Sequence, residues 1–155
     1  MQISLTPIGY VHAARSSRED DYWGAGRATI ELAAELPVEA LAGLEQFSHA
    51  EVIFYFDQVD PAKIVLGARH PRNNLAWPKV GIFAQRGKNR PNRLGLTVVR
   101  ILGVDGRRLQ VADLDAIDGT PVLDIKPLMA EFLPRTALHQ PAWASELMRD
   151  YWSES

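Results

Sequence analysis

The chain has 155 residues, 17 Lys plus Arg against 19 Asp plus Glu, no cysteine and 46% hydrophobic residues, for a formal net charge of -2. That length is about one domain, and the apolar share is too high for a disordered chain. Zero cysteines exclude a disulfide framework, a thiolate zinc site and a cysteine nucleophile.

In chain order, Ile3 to His12 alternates apolar and polar residues imperfectly and predicts an opening strand. Met1 to Leu5 has no basic stretch leading into an apolar one, and apolar runs such as Val52 to Phe56 fall far short of the ~20 residues of a membrane span. A cytoplasmic protein without a membrane partner is the expectation. Arg15 to Gly26 reads as a polar loop, and Arg27 to Leu32 resumes the period-2 pattern. Pro37 opens a short helix in which Val38, Leu41 and Leu44 share a face, with Gly43 near its end. Glu51 to Phe56 has the β-branched and aromatic composition of a buried strand. Asp57 to Pro78 has no period, and an irregular connection of that length is more often functional than not.

Lys79 to Ala84 is a further strand, followed by the polar loop Gln85 to Arg93. Leu94 to Val104 and Arg108 to Leu114 flank Asp105-Gly106, a two-residue hairpin signal. Asp118-Gly119-Thr120-Pro121 is a turn into a short strand, Val122 to Ile125, that ends at Lys126-Pro127. Beyond Pro141, Trp143 to Trp152 predicts a terminal helix with Trp143, Leu147 and Tyr151 four residues apart. Six or more short strands with little helix between them place the fold class from all-β to α+β: a small closed antiparallel β-barrel with short helices and a C-terminal helix. The barrel domain is expected over 1–130, with 131–155 an extension whose helix packs on it.

The net charge conceals an asymmetry. Pro61 to Val104 is 44 residues with nine basic side chains and no acid, so the -2 divides into +9 there and -11 elsewhere. Such a block suits a phosphate-bearing partner, or a solvated face paired with its acidic flanks. Within it, Arg86-Gly87-Lys88-Asn89-Arg90-Pro91-Asn92-Arg93 concentrates four cations and two amides. Guanidinium groups offer planar paired donors to carboxylate or phosphate, and asparagines suit a base edge, which favours a binding loop over a merely solvated one.

Several chemistries are missing. No G-x-G-x-x-G follows a strand, and no Walker sequence, H-E-x-x-H or G-x-S-x-G occurs. His12, His49, His70 and His139 are not spaced as metal ligands, so no metal is expected. Ser48-His49 stands at the entrance to the aromatic strand, either presenting polar groups to a pocket or forming a hydrogen-bonded strand boundary. Asp118 suits an Asx-turn, and Asp124 and Lys126 share a strand face where they suit an ion pair. The same residues also suit the wall of a small-molecule site that accepts from a ribose diol or an amine.

Four stretches carry a family resemblance: Thr6 to His12, Gly43 to His49, Val80 to Arg86 with Arg90 to Thr97, and Asp118 to Pro127. In colinear order over about Ile3 to Pro127, they resemble the TsaA-like family, whose best-known members are TrmO-type tRNA methyltransferases. The resemblance implies a small β-barrel that binds S-adenosyl-L-methionine, works as a homodimer and methylates N6 of threonylcarbamoyladenosine beside the tRNA anticodon. By motif, it assigns cofactor contacts to Ser48, His49, Arg86, Leu96 and the turn Ile117, Asp118, Gly119, Thr120 and Pro121. Arg15 to Gly24 stands where the family usually carries a longer insertion, and Gln85 to Arg90 replaces the commoner Thr-Arg-Ser-Pro-x-Arg, as in a divergent subgroup.

On that basis Arg90, Asn92 and Arg93 are expected to face the substrate, Arg69 and Arg72 to extend the phosphate-binding surface, and Asp124 to accept a proton from an amide-like nitrogen. Two other readings are a non-catalytic RNA-binding barrel and a methyltransferase for a small molecule. The -2 charge, split in this way, predicts localised, salt-sensitive RNA contact.

Overall fold

The computed structural model describes residues 1–155. Eight strands form: β1 (Gly9–Ala13), β2 (Arg27–Leu32), β3 (His49–Tyr55), β4 (Ala68–Arg69), β5 (Val80–Gly81), β6 (Leu94–Asp105), β7 (Arg108–Ala112) and β8 (Pro121–Pro127). Six close into a barrel in the order β1-β2-β7-β6-β3-β8, while β4 and β5 pair only with each other. Every pairing is antiparallel. The expected closed barrel is therefore the observed fold.

Alternation builds the interior. Along β3 burial switches at every residue, sending Ala50, Val52 and Phe54 inward and Glu51, Ile53 and Tyr55 outward. Val11, Ile30, Val99, Leu109, Val111 and Val122 join them from the other strands with no exposed surface. Each such side chain contributes about 1.5–3 kcal/mol by leaving water. Phe54 lies over Gly95, its cross-strand partner; a Cβ there would fall 2.4 Å from the ring.

The hairpin forms as expected, with Gly106 at φ 58°. Arg107 ties it down by donating to the carbonyls of Ala33, at 3.1 Å, and Leu36. Ala112 to Pro121 crosses the other barrel end and buries Leu114, Ala116 and Thr120.

Four elements differ in extent from the sequence reading. Residues 3–5 stay exposed and β1 begins only at Gly9, beyond Pro7, which has no N–H to give a ladder. The helix after Pro37 becomes two 3-10 turns, Val38–Leu41 and Leu44–Gln46, broken where Gly43 turns left-handed at φ 87°. Lys79 to Ala84 contributes just β5 and a 3-10 turn outside the barrel, because Gln85 is turned inward and its amide bonds Arg69 O and Val80 O. The terminal helix α1 spans Ala142–Leu147 and gives way to turns from Met148 on.

That C-terminal segment lies against the loop after β1. Backbone amides of Tyr22, Trp23 and Gly24 donate to the carbonyls of Asp150, Tyr151 and Ser153 at 3.1, 2.8 and 3.2 Å. The approach is close enough that a Cβ at Gly24 would meet Trp152 O at 2.1 Å. Trp77 Nε1 donates to Glu146 at 3.0 Å, which also joins the long connection to α1.

Candidate functional site

The turn at Ile117 to Pro121 is stapled to the end of β1. Gly119 adopts φ 83°, open to glycine without strain, and its amide donates to Val11 O at 2.7 Å. Val11 N returns a bond to Thr120 O at 2.9 Å, and the Thr120 hydroxyl closes the turn on Ile117 O at 2.7 Å. Asp118 accepts from Ala13 N at 3.0 Å through Oδ1, while its amide donates to Arg15 O at 2.8 Å. Asp118 also borders an open groove of about 560 Å³ on the outer face of β1, β2 and β7, lined by His12, Arg27, Thr29 and Gln110 among others. That size suits a small organic ligand.

Arg15 follows directly. Its guanidinium stacks 3.8 Å from the centroid of the Trp23 ring, and Nη2 donates to the carbonyls of Asp21 and Tyr22 at 2.9 and 3.0 Å. Its Nη1 is buried and has no partner.

Around the same barrel end, Arg86 donates to Leu96 O. The next residue, Thr97, donates through Oγ1 to Asp115, two residues before the turn begins. Tyr151 donates its phenolic hydrogen to the other oxygen of Asp115. Burial above all, then the Asp115 charge and hydrogen bond, holds the Tyr151 phenol well above its ordinary pKa, with Arg86 opposing.

Thus Arg86, Leu96 and Ile117 to Pro121 gather at one end of the barrel. Ser48 and His49 do not join them within the chain. They stand at the entrance to β3, with Ser48 Oγ and His49 Nδ1 sharing a 2.7 Å hydrogen bond, and the amide of Leu128, just past the far end of β8, donates to His49 O at 3.0 Å. Leu96 pairs with Ile53, four residues along β3 from His49, or roughly 13 Å. The outer face of β6 there exposes Leu94, Leu96 and Val98, about 40–44% accessible.

Asp124 lies on that outer face opposite Ile53. Its Oδ1 accepts from Ile125 N at 2.9 Å and Oδ2 lies 3.3 Å from Lys126 Nζ, the pairing that the strand period suggested.

The basic segment is tied largely to its own chain. Arg90 donates to Gln85 O at 2.6 Å and Gly87 O at 3.4 Å. Arg93 donates to Val59 O at 3.2 Å and lies over the Tyr55 ring at 4.7 Å. Arg69 donates to Gln85 Oε1 at 3.3 Å, and Arg72 grips both carboxylate oxygens of Asp21 at 2.8 and 3.1 Å. Asn92 at φ 61° turns the loop back toward β6. Lys63, Lys79 and Arg100 are exposed and carry no such tie. No group of three His, Asp or Glu side chains is placed to hold a metal, and no helix is long and apolar enough to cross a membrane.

The sequence reading did not single out Arg15, Thr97 or Asp115 as parts of this cluster, and it read Tyr151 as helix packing. The one signal available was Asp20-Asp21, acids that could pair with the remote basic block.

The tRNA-methyltransferase O N-terminal domain matches residues 10–132 of the chain. A Pseudomonas aeruginosa protein, RcsF, described as an S-adenosylmethionine-dependent methyltransferase, is 41% identical over 133 residues, 82% of this chain and 57% of that protein. The human tRNA (adenine(37)-N6)-methyltransferase is 35% identical over 134 residues, 81% of this chain and 30% of that protein. Both relatives are matched over less than two thirds of their own length. A crystal structure of TrmO from Pseudomonas aeruginosa superposes with a TM-score of 0.69 at 35% identity, over 93% of this chain and 63% of that one.

Proposed function

The chain belongs to the tRNA-methyltransferase O N-terminal domain family, and from that premise we propose that it is an S-adenosylmethionine-dependent tRNA methyltransferase. The acceptor in this reading is N6 of threonylcarbamoyladenosine beside the anticodon. The observation that carries it is the convergence of the Asp118 turn, Arg86 and Leu96 at one barrel end, with a groove of ligand size beside the turn.

The residues there fit the cofactor. Asp118 has an oxygen with no bond inside the chain, suited to an amine or a ribose diol. When bound, S-adenosylmethionine supplies a methyl on a sulfonium that is already an excellent leaving group. The protein's part is to hold methyl and acceptor nitrogen in line, an orientation effect of up to ~7–11 kcal/mol. Rigid strand ends and a turn stapled to β1 suit that task. Asp124 is our proposed proton acceptor, with Lys126 holding its carboxylate in place.

Under the same proposal the protein is a cytoplasmic homodimer. A second copy laid over Leu94, Leu96 and Val98 would cover an exposed apolar strip, and partner strands offer a route for Ser48 and His49 to approach a turn they do not reach in their own chain. The barrel would occupy 1–130 and the extension 131–155. Substrate tRNA would contact the basic segment, with Arg69, Arg72, Arg90, Asn92 and Arg93 shaping its surface.

Isothermal titration and label transfer test the reading. The expected results are S-adenosylmethionine heat that Arg86→Ala diminishes, and labelled methyl appearing in bulk tRNA. No heat, with Arg86→Ala indistinguishable from the parent, removes the cofactor assignment. Cofactor binding without methyl transfer to tRNA moves the acceptor to a small molecule, and RNA binding without cofactor leaves a non-catalytic barrel.

A further inference from the structure

We propose that Phe83, with Leu66 near it, is the platform on which an unpaired RNA base flanking the acceptor nucleotide stacks, an assignment that rests on the tRNA reading above. Phe83 is 75% exposed, a value matched among the aromatic residues only by Phe132. Its backbone is nonetheless fixed on both sides. Ile82, just before it, is buried and donates its amide to Gly67 O at 2.8 Å. Gln85 N closes the turn on Ile82 O at 3.2 Å, and the buried Gln85 side chain bonds Arg69 O and Val80 O. A ring displayed on so constrained a turn has little backbone freedom to lose on binding.

The bond from Ile82 to Gly67 continues the pairing of β4 with β5, in which Ala68 lies opposite Gly81. Leu66, 77% exposed, therefore stands at the same end of this ribbon as Phe83. A Cβ added at Gly67 or Gly81 would meet nothing within 4 Å, so no wall rises beside the ring. Anchor side chains of protein partners sit in packed pockets, whereas an open apolar surface suits the face of a planar base.

Charge selects the same partner. Lys63 lies three residues before Leu66, Lys79 four before Phe83 and Arg86 three after it, all exposed, in a segment with no acidic side chain. Cations around an aromatic ring bind unpaired nucleic acid, the charges meeting phosphates and the ring meeting a base. A second copy of this chain seated there symmetrically would press two basic segments together. Arg86 fixes the location, because its guanidinium reaches Leu96 O and three residues of chain span at most about 11 Å. A base stacked on Phe83 is thus a neighbour of a nucleotide held at that barrel end.

The test is equilibrium binding to the full chain of synthetic hairpin RNAs that carry an adenosine in an unpaired loop. Phe83→Ala should weaken binding roughly five- to a hundredfold, the scale of one stacked base. Phe83→Trp should hold or strengthen it, and Phe83→Leu, apolar but without a π-face, should resemble Phe83→Ala. The slope of log affinity against log salt should stay the same in all three, since no charge is lost. Of two hairpins lacking the base just before or just after the adenosine, one should bind the parent and Phe83→Ala alike. The melting temperature and S-adenosylmethionine affinity of Phe83→Ala should match the parent. Full affinity in Phe83→Ala or Phe83→Leu, or a loss that persists with both shortened loops, overturns the platform and leaves the tRNA reading standing. A parent dimer that Phe83→Ala converts to a monomer gives the face to a second copy and also overturns it. A parent that binds no RNA brings down the tRNA reading and the platform with it, a failure visible before any variant is made.

Discussion

Tyr151 and Asp115, 36 residues apart, share a hydrogen bond in which the phenol donates to a carboxylate that already accepts from Thr97. One contact thereby joins the last segment of the chain, the strand that carries Leu96 and the loop that leads into the Asp118 turn. The family match ends at residue 132, so Tyr151 brings to this site a group from beyond it.

Tyr151→Phe should cost about 1–3 kcal/mol, the value of a hydrogen bond to a charged acceptor. Its pH signature is specific. Burial and Asp115 raise the phenol pKa in the folded protein above the ordinary value of about 10. The unfolded chain therefore releases this proton first, and the contribution is complete below about pH 10 and declines above it. Urea denaturation between about pH 9 and about pH 11 should show a steeper loss in the parent than in Tyr151→Phe; equal slopes would contradict the contact.

Gly95→Ala drives a methyl to 2.4 Å from the Phe54 ring, which is itself 2% exposed and has nowhere to go. Overpacking of this kind costs about 1–3 kcal/mol. Thermal melts of Gly95→Ala alone and with Phe54→Leu check it, the second change being expected to relieve part of the loss.

Cations within the basic segment should separate into two classes. Arg90→Ala and Arg72→Ala remove ties to Gln85, Gly87 and Asp21 and should lower the melting temperature. Lys79→Ala and Arg100→Ala remove exposed, untied charges, so stability should move by less than about 0.5 kcal/mol. If these charges meet tRNA phosphate, each substitution should reduce the slope of log affinity against log salt by about 0.7–0.9.

Asp124→Asn keeps the shape of the side chain and removes its basicity. If it accepts the proton, turnover should fall by about a hundredfold or more while cofactor affinity holds. Unchanged turnover would leave Asp124 as one half of the pair with Lys126.

Val98→Glu places a charge on the exposed apolar strip without touching the core, since Val98 faces outward and is 44% accessible. The chain should stay folded and elute as a monomer in light-scattering chromatography. A dimer that persists would move the subunit contact to another face.

By itself the sequence determined the barrel and its tight turns. Alternation over β2 and β7, the β-branched apolar composition of β3 and β6 and the Asp105-Gly106 hairpin were legible because each depends on neighbours in the chain. The Asp118 turn was legible as a turn for the same reason, and the Asp124–Lys126 pair followed from strand period alone. Tertiary structure decided which motifs meet. Sequence motifs do not encode distance along a barrel, so only the registers show Ser48 and His49 at the far end of β3 from the turn. Nor does composition say whether a cation is free. Arg90 is tied to the carbonyls of Gln85 and Gly87 within its own loop, whereas Arg93 and Arg72 are tied down because Val59 O and Asp21, remote in sequence, lie within reach once the chain folds. Arg15 is the converse case: in sequence an ordinary loop cation, it is half-buried with one guanidinium nitrogen unbonded, while Asp20 and Asp21 pair with Arg72.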